Sequence, residues 1–120
     1  MSWIVDLHPL FAAEFRAFSD GVQDELFAKI QLLETYGPHL GRPHADTLNN
    51  SRHSNMKELR FQADGGVWRA AFAFDPARRA ILLVAGDKSG GSERRFYRQL
   101  IRKADERFDD HLARLKDPRP

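Results

Sequence analysis

Two tight turns fix the middle of this chain of 120 residues. Asp64-Gly65-Gly66 and Asp75-Pro76-Ala77-Arg78-Arg79 separate three runs, residues 56–63, 67–74 and 80–85, in which apolar side chains recur at every second position. Period two marks a half-buried strand, and a two-residue Asp-Gly turn between such runs closes a hairpin. Strands joined this closely pair as an antiparallel meander, because a parallel return needs a crossover of a dozen or more residues.

The flanks read as helices. Residues 2–7 alternate, with Trp3, Val5 and Leu7 on one side, and predict a short strand. Pro9 can open a helix over 10–18 carrying Leu10, Phe11, Phe15 and Phe18. Ser19 or Asp20 can cap a second helix over 22–36, whose stripe is Val22, Leu26, Ile30 and Leu33 and which Gly37-Pro38 stops. Residues 37–55 read as a long loop pinned by Leu40 and Leu48. Residues 86–91 break the sheet, and Ser92 caps a last helix to about Leu115 with Phe96, Leu100, Ala104, Phe108 and Leu112 on one face. Residues 117–120 read as a frayed tail. The expected fold is one α+β domain over 1–120: N-terminal strand and helical hairpin, antiparallel sheet, C-terminal helix.

Several function classes drop out. With no cysteine, a disulfide scaffold and a thiolate metal site are excluded, which fits a reducing cytosol. No secretory signal or membrane-spanning run is visible, so a cytoplasmic protein is expected. The five histidines lack metal-site spacing, and 86–91 lacks the P-loop order despite Lys88-Ser89. Neither a metal nor another cofactor is expected. No nucleophile elbow supports acyl transfer. Charge is uneven: residues 1–50 hold three basic against seven acidic residues, and 51–120 hold sixteen against ten. A polyanionic partner for the second half is one implication; a solvated arginine-rich surface is the other.

Strand periodicity sorts the side chains. Leu59, Phe61, Trp68, Phe72 and Phe74 form an apolar face directed at helices. Met56, Glu58, Arg60, Gln62, Arg69, Ala71 and Ala73 form the other, with Arg60 and Arg69 as cross-strand neighbours. This second face is expected to be a concave patch floored by alanine and rimmed by arginine, suited to a phosphate backbone. Lys88, Arg94, Arg95, Tyr97 and Arg98 lie close enough in the chain to add to it. Each arginine can equally be a surface ion pair, and Tyr97 a packed helix residue. His53, just before the first strand of the meander, is a candidate acid or base or a plain loop histidine.

Leu40-Gly41-Arg42-Pro43-His44, Met56-Lys57-Glu58-Leu59-Arg60, Trp68-Arg69-Ala70-Ala71-Phe72 and Ala85-Gly86-Asp87-Lys88-Ser89, in that order, resemble the HigB-like branch of the RelE/ParE toxin superfamily. The resemblance runs over about residues 3–115. It implies a microbial-RNase-like fold, a cognate antitoxin of helix-turn-helix type, and metal-independent cleavage of mRNA on the ribosome by attack of a 2′-hydroxyl on its own phosphate. It implies that Arg69 holds the scissile phosphate, that Lys88 stabilises the transition state and that Tyr97 matches a C-terminal-segment tyrosine. Arg60 becomes a second phosphate contact, and Lys57, Arg94, Arg95 and Arg98 RNA contacts. RelE carries lysines where this chain has Met56 and Glu58, so Glu58 or His53 is left as base. The same fold also serves ParE-like toxins that bind gyrase and cut no RNA, and would serve a non-toxic RNA- or protein-binding module.

Overall fold

The computed structural model describes residues 2–117. The expected frayed tail falls, from Pro118 on, outside the described residues. The elements run β1 (Ile4–Leu7), α1 (Pro9–Ala17), α2 (Asp20–Tyr36), β2 (Ala45–Thr47), β3 (Lys57–Ala63), β4 (Gly66–Phe74), β5 (Arg79–Asp87) and α3 (Glu93–Lys116). They form one five-stranded sheet in the order β1-β5-β4-β3-β2. The β3-β4-β5 meander is antiparallel as its turns dictate, and Asp64 and Gly65 both take positive φ, as a tight hairpin turn demands. β1 joins the far edge parallel to β5, so the sheet is mixed.

Side-chain caps set the helix starts. The hydroxyl of Ser19 accepts from the Val22 amide and that of Ser92 from the Arg95 amide, both at 3.2 Å. His8 caps α1, its Nδ1 accepting from the Leu10 amide, while Nε2 lies 2.8 Å from Asp110 of α3.

α1 and α2 cover the aromatic face. Phe11, Val22, Leu26 and Leu33 pack there with Leu59, Phe61, Ala70 and Phe72. The alanine face is not the open patch that strand periodicity suggests. α3 lies on it, and Leu100, Ala104 and Phe108 pack on Met56, Ala71, Ala73, Ile81 and Leu83. The small residues make room for a helix rather than for a ligand. β5 also runs through Gly86 to Asp87 instead of breaking there, because a bare glycine tolerates the overlying helix: a Cβ at Gly86 would stand 3.0 Å from the Phe96 ring. Ala71→Leu should therefore overpack the α3 interface and cost about 1–3 kcal/mol. A thermal melt unchanged by that substitution would show that α3 does not bear on Ala71.

Candidate active site

Glu58 and Arg60 stand two apart on β3, and Arg69 faces Arg60 in the β3–β4 register. Their side chains emerge beyond the part of the sheet that α3 covers most closely, where the first turns of α3 bring in Tyr97. The Tyr97 hydroxyl is the junction: it accepts from Arg69 Nε at 3.2 Å and donates to Glu58 Oε1 at 3.0 Å. Arg69 Nε lies 3.8 Å from the same carboxylate oxygen, so the tyrosine completes the ion pair. Arg69 Nη1 donates to the Trp68 carbonyl at 2.9 Å. Arg60 reaches two carboxylates, Glu58 at 4.0 Å and Asp46 of β2 at 3.8 Å, and Arg42 holds Asp46 at 2.7 Å.

Burial separates the roles open to these groups. Glu58 and Arg69 are each 6% exposed. Burial raises the Glu58 carboxyl above its ordinary value, against the opposing Tyr97 hydrogen bond and the charges of Arg69 and Arg60. A carboxylate raised in this way is a stronger proton acceptor than one in water. Burial and the neighbouring Glu58 push the Tyr97 hydroxyl up, which keeps it a proton donor at neutral pH. The buried Arg69 orients Tyr97 and Glu58 while also lining a cleft of about 330 Å³ with Arg42, Arg60 and Gln62. A second cleft of about 330 Å³, lined by Arg42, Asp46, Asn50, Glu58, Arg60 and Tyr97, meets the first at Arg42 and Arg60.

Lys88 follows directly on the end of β5 and lines neither cleft. Its backbone amide pairs with the Val67 carbonyl at 2.8 Å, and its ammonium is held by Glu93 at 2.6 Å. The Lys88 hydrogen bond first, then the charges of Lys88, Arg69 and Arg60, hold the Glu93 carboxyl below its ordinary value.

Three sequence candidates stand apart. Lys57 pairs in register with Phe72, which puts it on the α1–α2 side of the sheet. His53 packs edge-on against Phe108 and lies 2.7 Å from Asp109, at least two turns along α3 from Tyr97. Of the two candidate bases, only Glu58 therefore stands beside Arg60 and Arg69. Arg95 is exposed and turned away from the Tyr97 side of α3, whereas Arg94 and Arg98 flank Tyr97 along a groove. Arg42, Asp46 and Asn50 join the site without having been singled out, because β2 is only three residues long and has no alternation to read. Among the described residues no three His, Asp or Glu side chains converge to hold a metal ion, and no helix is long and apolar enough to cross a membrane.

A mixed sheet with a helical hairpin on one face and a C-terminal helix on the other is the fold of the RelE toxins. The solved structure of a double-mutant E. coli toxin RelE in the free state superposes with a TM-score of 0.63 at 12% identity, covering 89% of this chain and 98% of that one. The chain belongs to the family described as phage derived protein Gp49-like, whose model matches residues 13–109. Two relatives from Mycobacterium tuberculosis carry the HigB name. "Putative toxin HigB3" is 45% identical over 109 residues, 91% of this chain and 93% of that one. "Putative toxin HigB2" is 42% identical over 121 residues, and this chain spans 59% of its length. The HigB-like resemblance in the sequence motifs thus extends to whole-chain similarity.

Proposed function

We propose that this chain is the toxin of a toxin–antitoxin pair and that it cuts messenger RNA on the ribosome without a metal. The observation that carries the reading is the convergence of Arg42, Arg60 and Arg69 on one cleft beside a buried carboxylate, Glu58, of raised pKa. Ionised Glu58 takes the proton of a 2′-hydroxyl. The freed oxygen attacks the adjacent phosphorus, the bond to the 5′-oxygen breaks, and that oxygen takes a proton from solvent, leaving a 2′,3′-cyclic phosphate and a 5′-hydroxyl. The exposed Arg42 and the half-buried Arg60 neutralise the charge that builds on the phosphorane. Arg69 and Tyr97 hold Glu58 in place, and Lys88, released from Glu93, is the basic group assigned to the departing oxygen. The names of the M. tuberculosis relatives support a toxin and, with it, a cognate antitoxin. An antitoxin with a helix-turn-helix domain and an acidic arm would match the basic surface, and a cytoplasmic site of action follows from a ribosomal target.

Induction of the chain in growing cells, followed by primer extension on translated transcripts, tests this. New 5′ ends at discrete positions are expected within minutes, with plasmid supercoiling unchanged. Intact transcripts together with trapped gyrase–DNA complexes would replace it with the ParE-like reading.

A further inference from the structure

Beyond the reaction centre, the exposed face of α3 carries a second concavity of about 500 Å³. Arg94, Arg98 and Arg102 recur along its helical wall at every fourth residue, with Arg52 opposite. Ile101 and the Tyr97 ring give it an apolar floor. Asn50, Tyr97 and Ile101 line both this groove and the Glu58 cleft, so the two are continuous.

Arg52 is held by Asp109, but the arginines of the helical wall are paired less closely than others on the same helix. Arg107 is held by Glu14 at 2.7 Å and Arg114 by Asp110 at 2.6 Å. Among the described residues Arg94 and Arg98 have no such acid, and Arg102 only reaches Glu106 at 4.0 Å. The acid that lines the groove, Asp105, is spent on its wall: it accepts from Ser51 Oγ at 2.5 Å and from the Arg52 amide at 3.2 Å. Like charges four apart destabilise a helix. A stripe of them, with Arg94 and Arg98 free of any acid among the described residues, beside an apolar floor is the pattern of a groove that tracks a nucleic-acid backbone and stacks a base. Their rise of about 6 Å per step along the axis suits successive phosphates of an extended strand.

We infer that this groove is a second nucleotide subsite, which seats the single-stranded RNA flanking the scissile phosphate. Arg94 and Arg98 take its phosphates, one base lies on Ile101 and Tyr97, and the Asn50 amide meets that base's edge at the junction of the two clefts. The inference rests on the RNA-directed reading of the site, but its test does not require cleavage.

The probe is a fluorescent 2′-deoxy hexanucleotide, which has no 2′-hydroxyl to react, titrated with the full chain at several salt concentrations. Arg94→Ala/Arg98→Ala should weaken binding at least tenfold and flatten the dependence of log affinity on log salt by about 1.4, the loss of two single-strand phosphate contacts. Ile101→Ala should weaken binding while leaving the salt slope unchanged, and should have no effect on an abasic version of the probe. Arg94 and Arg98 are exposed, Ile101 is half-buried against the core beneath α3, and a melt of each variant confirms folding. Unaltered binding by the double variant overturns the subsite. So does equal affinity for a polyglutamate peptide of matched charge, which would make the groove a protein-docking surface. Loss of hexanucleotide binding in a chain that cuts no RNA would leave the subsite standing and remove the nuclease reading.

Discussion

Glu58→Gln should lower RNA cleavage by about 10²–10⁴-fold, the range associated with a lost general base. The amide keeps the shape of the side chain and an oxygen for the Tyr97 hydroxyl, so the site's geometry persists. What disappears is the ability to accept the 2′-proton. Folding stability gives an independent check with a definite sign. Because burial raises the Glu58 pKa, the folded chain binds this proton more tightly than the unfolded chain. Stability from this group is then full below the ordinary glutamate pKa and is lost as pH rises through the raised value. At neutral pH the glutamine variant, free of that penalty, should melt no lower than the parent. The pH profile of cleavage supplies the second check. The parent should lose activity as pH falls through the raised Glu58 pKa, at a pH above the ordinary glutamate range. A glutamine variant that keeps both the rate and this acid limb would move the base elsewhere.

Asp75→Ala should be the most costly polar substitution, about 3–5 kcal/mol, as for the loss of one member of a buried ion pair. The Asp75 side chain is fully buried at the β4–β5 turn. It accepts from the Arg79 amide at 3.0 Å, from Arg79 Nη2 at 3.3 Å and from His111 of α3 at 2.7 Å. Arg79 in turn reaches Asp6 of β1 at 3.3 Å, so one carboxylate ties together the turn, the parallel edge strand and the C-terminal helix. Arg79 Nε is already buried without a partner, so the cluster has no spare acceptor to take over. Burial alone would raise the Asp75 pKa. The His111 hydrogen bond, the Arg79 amide and the Arg79 charge outweigh it and hold the carboxyl below its ordinary value. Its contribution is accordingly present above the ordinary aspartate pKa and is lost as pH falls through the lowered one. Thermal melts across that acid range should show the parent converging on the alanine variant. A gap that stays constant with pH would show that the loss comes from packing instead.

The frame was legible because it follows from periodicity. Alternation along 56–85 and the two turns dictate the meander, and the stripes Val22-Leu26-Ile30-Leu33 and Phe96-Leu100-Ala104-Phe108-Leu112 dictate which helix faces are buried. Which side of the sheet α3 takes was not legible. Ala71 and Ala73 fit an open floor as well as a helix seat, since smallness is the requirement of both. The parallel pairing of β1 with β5 escaped for a different reason: a four-residue strand carries no mark of its partner. In the site, Glu58, Arg60, Arg69 and Tyr97 could be gathered by register and motif, but Arg69's burial could not be foreseen. Asp46 and Asn50 belong to a segment ordered by tertiary contacts, and nothing in their local sequence marks them.

The sheet that separates the two helical layers also separates charge. α2, on one side, carries four acidic residues and one lysine, whereas residues 93–103 of α3, on the other, carry five basic residues and one acid. A net charge of +2 therefore understates the field, which is closer to that of a dipole directed across the sheet. A neighbouring polyanion exerts a torque on such a body before it exerts much pull. The molecule arrives with the Arg60 and Arg98 side leading, and its acidic back shields it from docking by the wrong face.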